Sequence, residues 1–291
     1  MSISIAFHGS VPTSIFREMF LSMDPMTDSN VVSEPAITRF YDELAEEYDR
    51  MTGFSSRFVR EKPFFRLLVE RYRIHTAVDA GSGTGFHSLL LAQLGVQVTA
   101  IDASGLMLRR LEGHAEELGL QVATEESFLQ DIDASRLGPV DAVFCLGNTL
   151  SHCLTSAELM IVLHRCFSLL RPGGVLFLQI PNYERILGSG ERVQSIREAD
   201  GVTFIRFYDF QDRRPQEIVF NILRLSRVEK TVHHSLRSIL LRPLQREELL
   251  TALADTGFTD RQTFGGILMG PFSVDDSPDL VMLARKGSES I

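Results

Sequence analysis

The sequence predicts an α/β fold: a doubly wound, mostly parallel seven-stranded sheet with an antiparallel β lid inserted after the fifth strand. Three observations predict it. Apolar runs of strand length alternate with helical stretches from Thr76 to Ile180, the pattern of crossover connections in a parallel sheet. The first crossover opens on a glycine-rich turn between an apolar strand and an apolar-faced helix. After Asn182 the pattern changes to near alternation of apolar and polar residues over three runs, which reads as a meander. At 291 residues the chain is long enough for one sizeable core and an extra subdomain.

Residues 35–72 read as helical. Phe40, Tyr41, Leu44, Ala45 and Tyr48 share one helix face, and Pro63 is expected to open a second helix at its first turn. A strand from Thr76 to Val78 meets Asp79, and a helix from Phe86 to Leu94 follows the glycine turn. The second strand, Val96 to Ile101, ends on Asp102. Ser104 is a plausible N-cap for a helix that Gly119 ends. Gln121 to Thr124 is the third strand, and Pro139 to Leu146 is a buried fourth. A helix from Ser156 to Leu170 should stop at Arg171-Pro172-Gly173-Gly174, with the fifth strand at Val175 to Ile180.

The lid runs are Val202 to Phe210, Glu217 to Leu225 and Val228 to Leu241, divided by RRP and SR turns. A helix from Glu247 to Ala254, ended near Gly257, and strands Phe258 to Thr263 and Leu280 to Arg285 complete the pattern. The expected organisation is a leader at 1–34, a main domain at 35–181 and 243–291, and the lid at 182–242.

The chemistry concentrates between Thr76 and Asp102. Glycines at 81, 83 and 85 permit positive φ and let backbone approach a ligand. Asp102 at the second strand tip is placed to accept hydrogen bonds from a ribose diol. The spacing is G-x-G-x-G, not the G-x-G-x-x-G of pyrophosphate binders. Asp79, two residues before the first glycine, would repel a pyrophosphate but can hold an α-ammonium group directly or through water. A cationic nucleoside without phosphate, S-adenosylmethionine (SAM), fits those demands.

VDAGSGTG at Val78, AIDAS at Ala100 and LLRPGGVL at Leu169 resemble, in order, motifs of the class I SAM-dependent methyltransferases, a Rossmann-like fold. The resemblance covers about residues 40 to 285. It assigns Asp79, Gly81, Ser82, Gly83, Gly85, Asp102, Ala103 and Met107 to the cofactor. FYDELAEEYDRM resembles the helix that covers the SAM pocket in that family, so Tyr41 and Tyr48 are expected to close over it. Arg57 or Arg60 would pair with the methionine carboxylate, with Arg60 preferred. Ser127 and Phe128 stand where the family flanks adenine, with Asp131 in reserve.

CLGNTLSH at Cys145 and NYERILGSG at Asn182 resemble the glycine N-methyltransferase branch. That likeness implies roles for Leu146 at the cofactor and for Asn148 and His152 at the reacting groups. The branch carries an arginine immediately before its NY pair that grips an amino-acid carboxylate. Pro181 stands there in this chain. Either another cation, such as Arg206 or Arg237 on the lid, replaces it, or the substrate is not an amino acid. Tyr208, Asn221, His234 and Arg237 are lid residues that face the pocket if the strand register allows.

Formal charge is −9 with the basic residues dispersed, which argues against a nucleic-acid surface. No apolar run approaches the ~20 residues that span a bilayer. Arg17 is the only arginine or lysine among the first thirty residues, unlike the basic start of a targeting peptide. Three cysteines without metal-ligand spacing fit reduced thiols in a cytoplasmic protein. No metal is expected, and a homo-oligomer is compatible with the sequence. The expected activity is methylation of a small-molecule amine. O- or C-methylation, a SAM-binding protein without catalysis, and a nicotinamide oxidoreductase are the rival readings.

Overall fold

The computed structural model describes residues 34–211, 216–229 and 231–288. The expected leader, apart from Glu34, and the whole of the RRP turn lie outside them. Three helices come first: α1 (Glu34–Asp42), α2 (Tyr48–Thr52) and α3 (Phe54–Tyr72). The main domain continues with β1 (Thr76–Ala80), α4 (Phe86–Gln93), β2 (Gln97–Asp102), α5 (Gly105–Leu118), β3 (Ala123–Glu126), α6 (Ala134–Leu137), β4 (Val140–Cys145), α7 (Ser156–Leu169) and β5 (Leu170–Pro181). The lid region holds α8 (Tyr183–Ser189), β6 (Val193–Ala199), β7 (Val202–Phe210), β8 (Ile218–Val228) and β9 (Thr231–Leu241). It is followed by α9 (Arg246–Thr256), β10 (Phe258–Phe264) and β11 (Asp279–Lys286).

The main sheet has the order β10-β11-β5-β4-β1-β2-β3. β1 pairs in parallel with both β2 and β4, while β11 runs antiparallel to β5 and β10. Strand order reverses between β1 and β4. A crevice opens there beyond the carboxyl ends of the strands, the place where such sheets bind ligands. The expected seven-stranded doubly wound sheet is therefore present.

Two apolar layers cover the faces, and the two-residue period of the strands sorts side chains between them. Val78, Val143 and Leu176 join the layer with α7 and the lid. Their neighbours Ala77, Phe144 and Phe177 join the layer with α3 and α4. Phe144 and Phe177 stack with ring centroids 4.9 Å apart. Cys145, Cys153 and Cys166 are buried free thiols; burial pushes Cys153 and Cys166 up to about 12.

Local chemistry explains where the helices start and stop. Ser104 Oγ accepts from the Met107 N–H, and Gly119 ends α5 in the left-handed region. Thr155 and Glu158 form a reciprocal capping box at the start of α7.

Several expectations change. The helix read through Phe40 to Met51 is broken, because residues 43–47 form turns between α1 and α2. Pro63 lies inside α3, not at its start. The Arg171–Gly174 breaker does not precede the fifth strand; β5 begins at Leu170. Val140 pairs with Leu170 and Ala142 with Val175, so four residues bulge opposite Asp141.

The lid is a sheet of four strands in the order β6-β7-β8-β9. The sequence reading missed β6 and α8. It also placed a turn at Ser226-Arg227, which lie within β8. Arg242 N–H donates to Ser151 O at 2.8 Å, joining the end of the lid to the loop after β4.

Candidate active site

The glycine turn is held by backbone bonds before any side chain contributes. The N–H groups of Gly81 and Ser82 both donate to Ile101 O, at 2.8 and 3.0 Å. Gly81 and Gly85 have φ of +80° and +86°. A Cβ at Gly81 would lie 2.3 Å from the Thr149 side chain, and one at Gly85 would lie 2.3 Å from Leu111. Both positions therefore require glycine for packing as well as for torsion. Gly83 (φ +54°) differs, because its nearest neighbour would be Tyr48 at 3.9 Å.

Asp102 ends β2 beside this turn. Its Oδ2 accepts from the Gly83 N–H at 2.8 Å and its Oδ1 from the Ser104 N–H at 2.9 Å. Each carboxylate oxygen keeps lone-pair capacity for a further donor. Burial raises its pKa to about 6, against the lowering effect of those two backbone bonds.

A cavity of about 930 Å³ opens over the turn. Gly81, Ser82, Gly83, Asp102 and Ala103 form its floor, Ser127 and Phe128 one wall, and Leu146, Asn148 and His152 another. Tyr41 and Tyr48 border it from the N-terminal helices, and Arg206, Tyr208, Phe220 and Ile222 from the lid. The size lies within the range of small-molecule sites.

Three assigned residues do not line it. Asp79 is 1 % exposed, and its carboxylate accepts from Ser88 Oγ at 2.6 Å. It braces the strand–turn–helix junction from below, and direct contact with an ammonium group is not available to it. Met107 is fully buried in the core, because the cap from Ser104 turns the first residues of α5 inward. Gly85 packs against α5. The reserve candidate Asp131 is exposed and also outside the cavity.

Both arginines considered for the methionine end border the cavity. Arg60 borders the cavity, but its side chain is 65 % exposed. Arg57 is the better placed, 4.1 Å above the Phe86 ring centroid. Its Nε donates to Glu61 Oε1 at 3.0 Å. The sequence held both arginines one helical turn apart and contained no signal to choose between them.

Around the loop after β4 the polar groups are linked. Tyr41 Oη lies 2.8 Å from His152 Nε2. Burial lowers the His152 pKa to about 4, so the ring is neutral near pH 7. Tyr183 donates from its hydroxyl to Asn148 Oδ1 at 2.6 Å, which leaves the Asn148 amide N–H groups free to face a ligand. Sequence reasoning missed Tyr183 because α8 was not foreseen.

The lid register also decides which residues face inward. Arg206 stands opposite Ile222, which stands opposite Arg237, and Tyr208 stands opposite Phe220. Asn221 and His234 fall on the other face. Asn221 bonds to Asp209 and Ser238 there. Arg237 shares the inward face, but its Nε bonds Glu43 at 3.0 Å and it does not line the cavity.

The residues present fit SAM. The turn leaves room above its backbone, Asp102 retains acceptor capacity, Phe128 and Leu146 offer apolar faces, and Arg57 supplies a nearby cation. Comparison with known proteins agrees. Residues 77–174 match the family described as methyltransferase domain. A glycine/sarcosine N-methyltransferase of Parasynechococcus marenigrum (strain WH8102) is 28% identical over 155 residues, covering 53% of this chain and 55% of that protein. The chain thus spans about half the length of that relative.

A second protein of the same name, from Aphanothece halophytica, is 25% identical over 245 residues, covering 84% of this chain and 88% of its own. A SAM-dependent methyltransferase structure from Clostridium acetobutylicum superposes with a TM-score of 0.71 at 16% identity, covering 85% of this chain and 99% of that one. By its sheet order and its glycine turn the chain has the fold of the class I SAM-dependent methyltransferases, and residues 77–174 match the methyltransferase domain within it.

Proposed function

We propose that this protein transfers the methyl group of SAM to the nitrogen of a small-molecule amine. One observation carries the choice of nitrogen. The imidazole at the reacting end of the cavity, His152, is buried and held at about 4. A side chain that far below neutrality is a weak proton acceptor near pH 7. A hydroxyl acceptor would find only a weak base in His152, whereas an amine that arrives neutral needs none. The names of the two relatives support the same reading.

When bound, SAM would supply a sulfonium-activated methyl group open to attack by a nitrogen lone pair, with the C–S electron pair going to sulfur as the neutral thioether departs. The chain's task is to hold the partners in line and exclude water. Gly81, Gly83 and Asp102 would hold the nucleoside, with Phe128 and Leu146 against its apolar parts. Tyr41, through His152, and Tyr183, through Asn148, fix the orientation of the groups beside the acceptor. The lid and α1–α2 close the chamber.

Incubation with radiolabelled SAM and a metabolite extract tests the proposal. The expected result is a labelled N-methyl product. A labelled ether, ester or C-methyl product would overturn the choice of nitrogen. Calorimetric SAM binding without any labelled product would leave a SAM-binding protein without catalysis.

A further inference from the structure

Two Tyr-Asp pairs stand seven residues apart in the covering helices, Tyr41-Asp42 and Tyr48-Asp49. Both tyrosines border the cavity, whereas neither aspartate lines it. Each aspartate instead fastens its helix to a loop of the main domain. Asp42 Oδ1 accepts from Ser104 Oγ at 2.5 Å. Asp49 Oδ1 accepts from Thr84 Oγ1 at 2.6 Å, and its Oδ2 lies 2.7 Å from His114 Nε2 on α5. Ser104 and Thr84 are 1 % and 2 % exposed, so water competes little for these bonds. A hydroxyl that donates to a carboxylate makes a short, charge-assisted bond.

The two loops reached in this way are the ones that hold Asp102. Its backbone donors are Gly83, the neighbour of Thr84, and Ser104 itself. The loops that fix the nucleoside-binding acid are therefore the loops to which the cover is pinned. Between the two aspartates, Glu43 and Glu47 bond Arg237 and Arg224 of the lid. α2 has only five residues, too few to hold a helical shape by itself in water. The place of Tyr48 over the glycine turn thus depends on the bonds of its neighbour Asp49. We infer that Asp42 and Asp49 are positioning residues, a pair of clasps that keep Tyr41 and Tyr48 over the bound cofactor and set the rate at which SAM leaves. The inference rests on the SAM site of the proposed function and does not depend on which atom is methylated.

The test follows release of radiolabelled SAM into excess unlabelled SAM from the full-length protein and from Asp42→Ala and Asp49→Ala. Amide hydrogen exchange is measured alongside on the SAM-bound proteins. Each alanine variant should release SAM about tenfold faster or more, the scale for losing a charged hydrogen bond. Exchange should rise over residues 41–52 and stay unchanged in β1 and β4, the pattern of local opening above an intact sheet. Asp42→Asn and Asp49→Asn keep an acceptor for the two hydroxyls and should release SAM at rates between wild type and alanine. They also carry the measurement where an alanine variant does not fold.

Release at the wild-type rate in either alanine variant would overturn the inference and leave the methyl-transfer reading standing. Exchange that rises equally in β1 and β4 would overturn it too, since the acids would then support the whole fold and not the cover. A wild type that binds no SAM would remove the clasps and the methyl-transfer reading together.

Discussion

Asp102 and His152 are pushed in opposite directions by the same cause, removal from water, and this gives each a pH signature. For Asp102 the ionised carboxylate is the form that accepts hydrogen bonds from a ribose. SAM affinity should therefore weaken about tenfold from pH 7 to pH 5, below its pKa of about 6. Calorimetry across that range checks it, and Asp102→Asn should be weaker at pH 7 and flat with pH. An unchanged affinity in Asp102→Asn would mean that the ribose lies elsewhere.

Stability carries the second signature. The folded pKa of His152 lies below its unfolded value, so its contribution is full above about 6.5 and is lost as pH falls toward about 4. Asp102 is raised on folding, so its contribution has the opposite sign: it grows as pH falls from about 6 toward about 4. Between pH 7 and pH 5 the two effects, each about 1–2 kcal/mol, largely cancel. Urea unfolding of His152→Gln should therefore show stability rising on acidification relative to wild type, by about 2 kcal/mol. A parallel pH profile for variant and wild type would refute the buried neutral imidazole.

At the level of elements, the glycine turn separates two requirements that one motif conceals. Gly81 and Gly85 sit where a side chain would collide with Thr149 and Leu111. Gly81→Ala and Gly85→Ala should each cost about 2–4 kcal/mol in denaturant unfolding, combining torsional strain with overpacking. Gly83→Ala meets only the edge of Tyr48 and should cost about 1 kcal/mol, the left-handed penalty alone. Its methyl group projects toward the cavity, so SAM affinity should fall more than stability does. Equal stability losses at all three positions would contradict this division.

The N-terminal helices show the limit of periodicity. Phe40, Tyr41, Leu44, Ala45 and Tyr48 pack as their spacing suggests, since all join or border one apolar layer. The chain nonetheless turns at residues 43–47 between them. Tertiary contacts compensate the broken helix, because Glu43 and Glu47 bond Arg237 and Arg224 of the lid.

Across the whole molecule, those ion pairs tie the lid to the covering helices. Arg224 Nε lies 2.8 and 2.9 Å from the two oxygens of Glu47, and Tyr48 follows at once in sequence. Glu47→Gln should loosen closure by about 1–2 kcal/mol, the scale for a charged hydrogen bond. SAM should then dissociate about 5–30-fold faster in stopped-flow measurements, with overall stability less affected. An unchanged dissociation rate would show that the lid does not gate the cofactor.

The sequence alone determined the α/β sheet, the place of the glycine turn, the acid at the tip of β2 and the existence of a lid. Those features are written in local patterns: strand-length apolar runs, glycines where backbone must approach a ligand, and a change of period after Asn182. Only the tertiary structure decided which side chains share the chamber. Asp79 and Met107 turn into the core, Arg57 is the more buried of the two arginines at the cavity, and Arg206 faces inward where Arg237 is held by Glu43. The reason is physical. A one-residue change of strand register, or one competing hydrogen bond, reverses where a side chain points, and neither leaves a mark on composition or spacing.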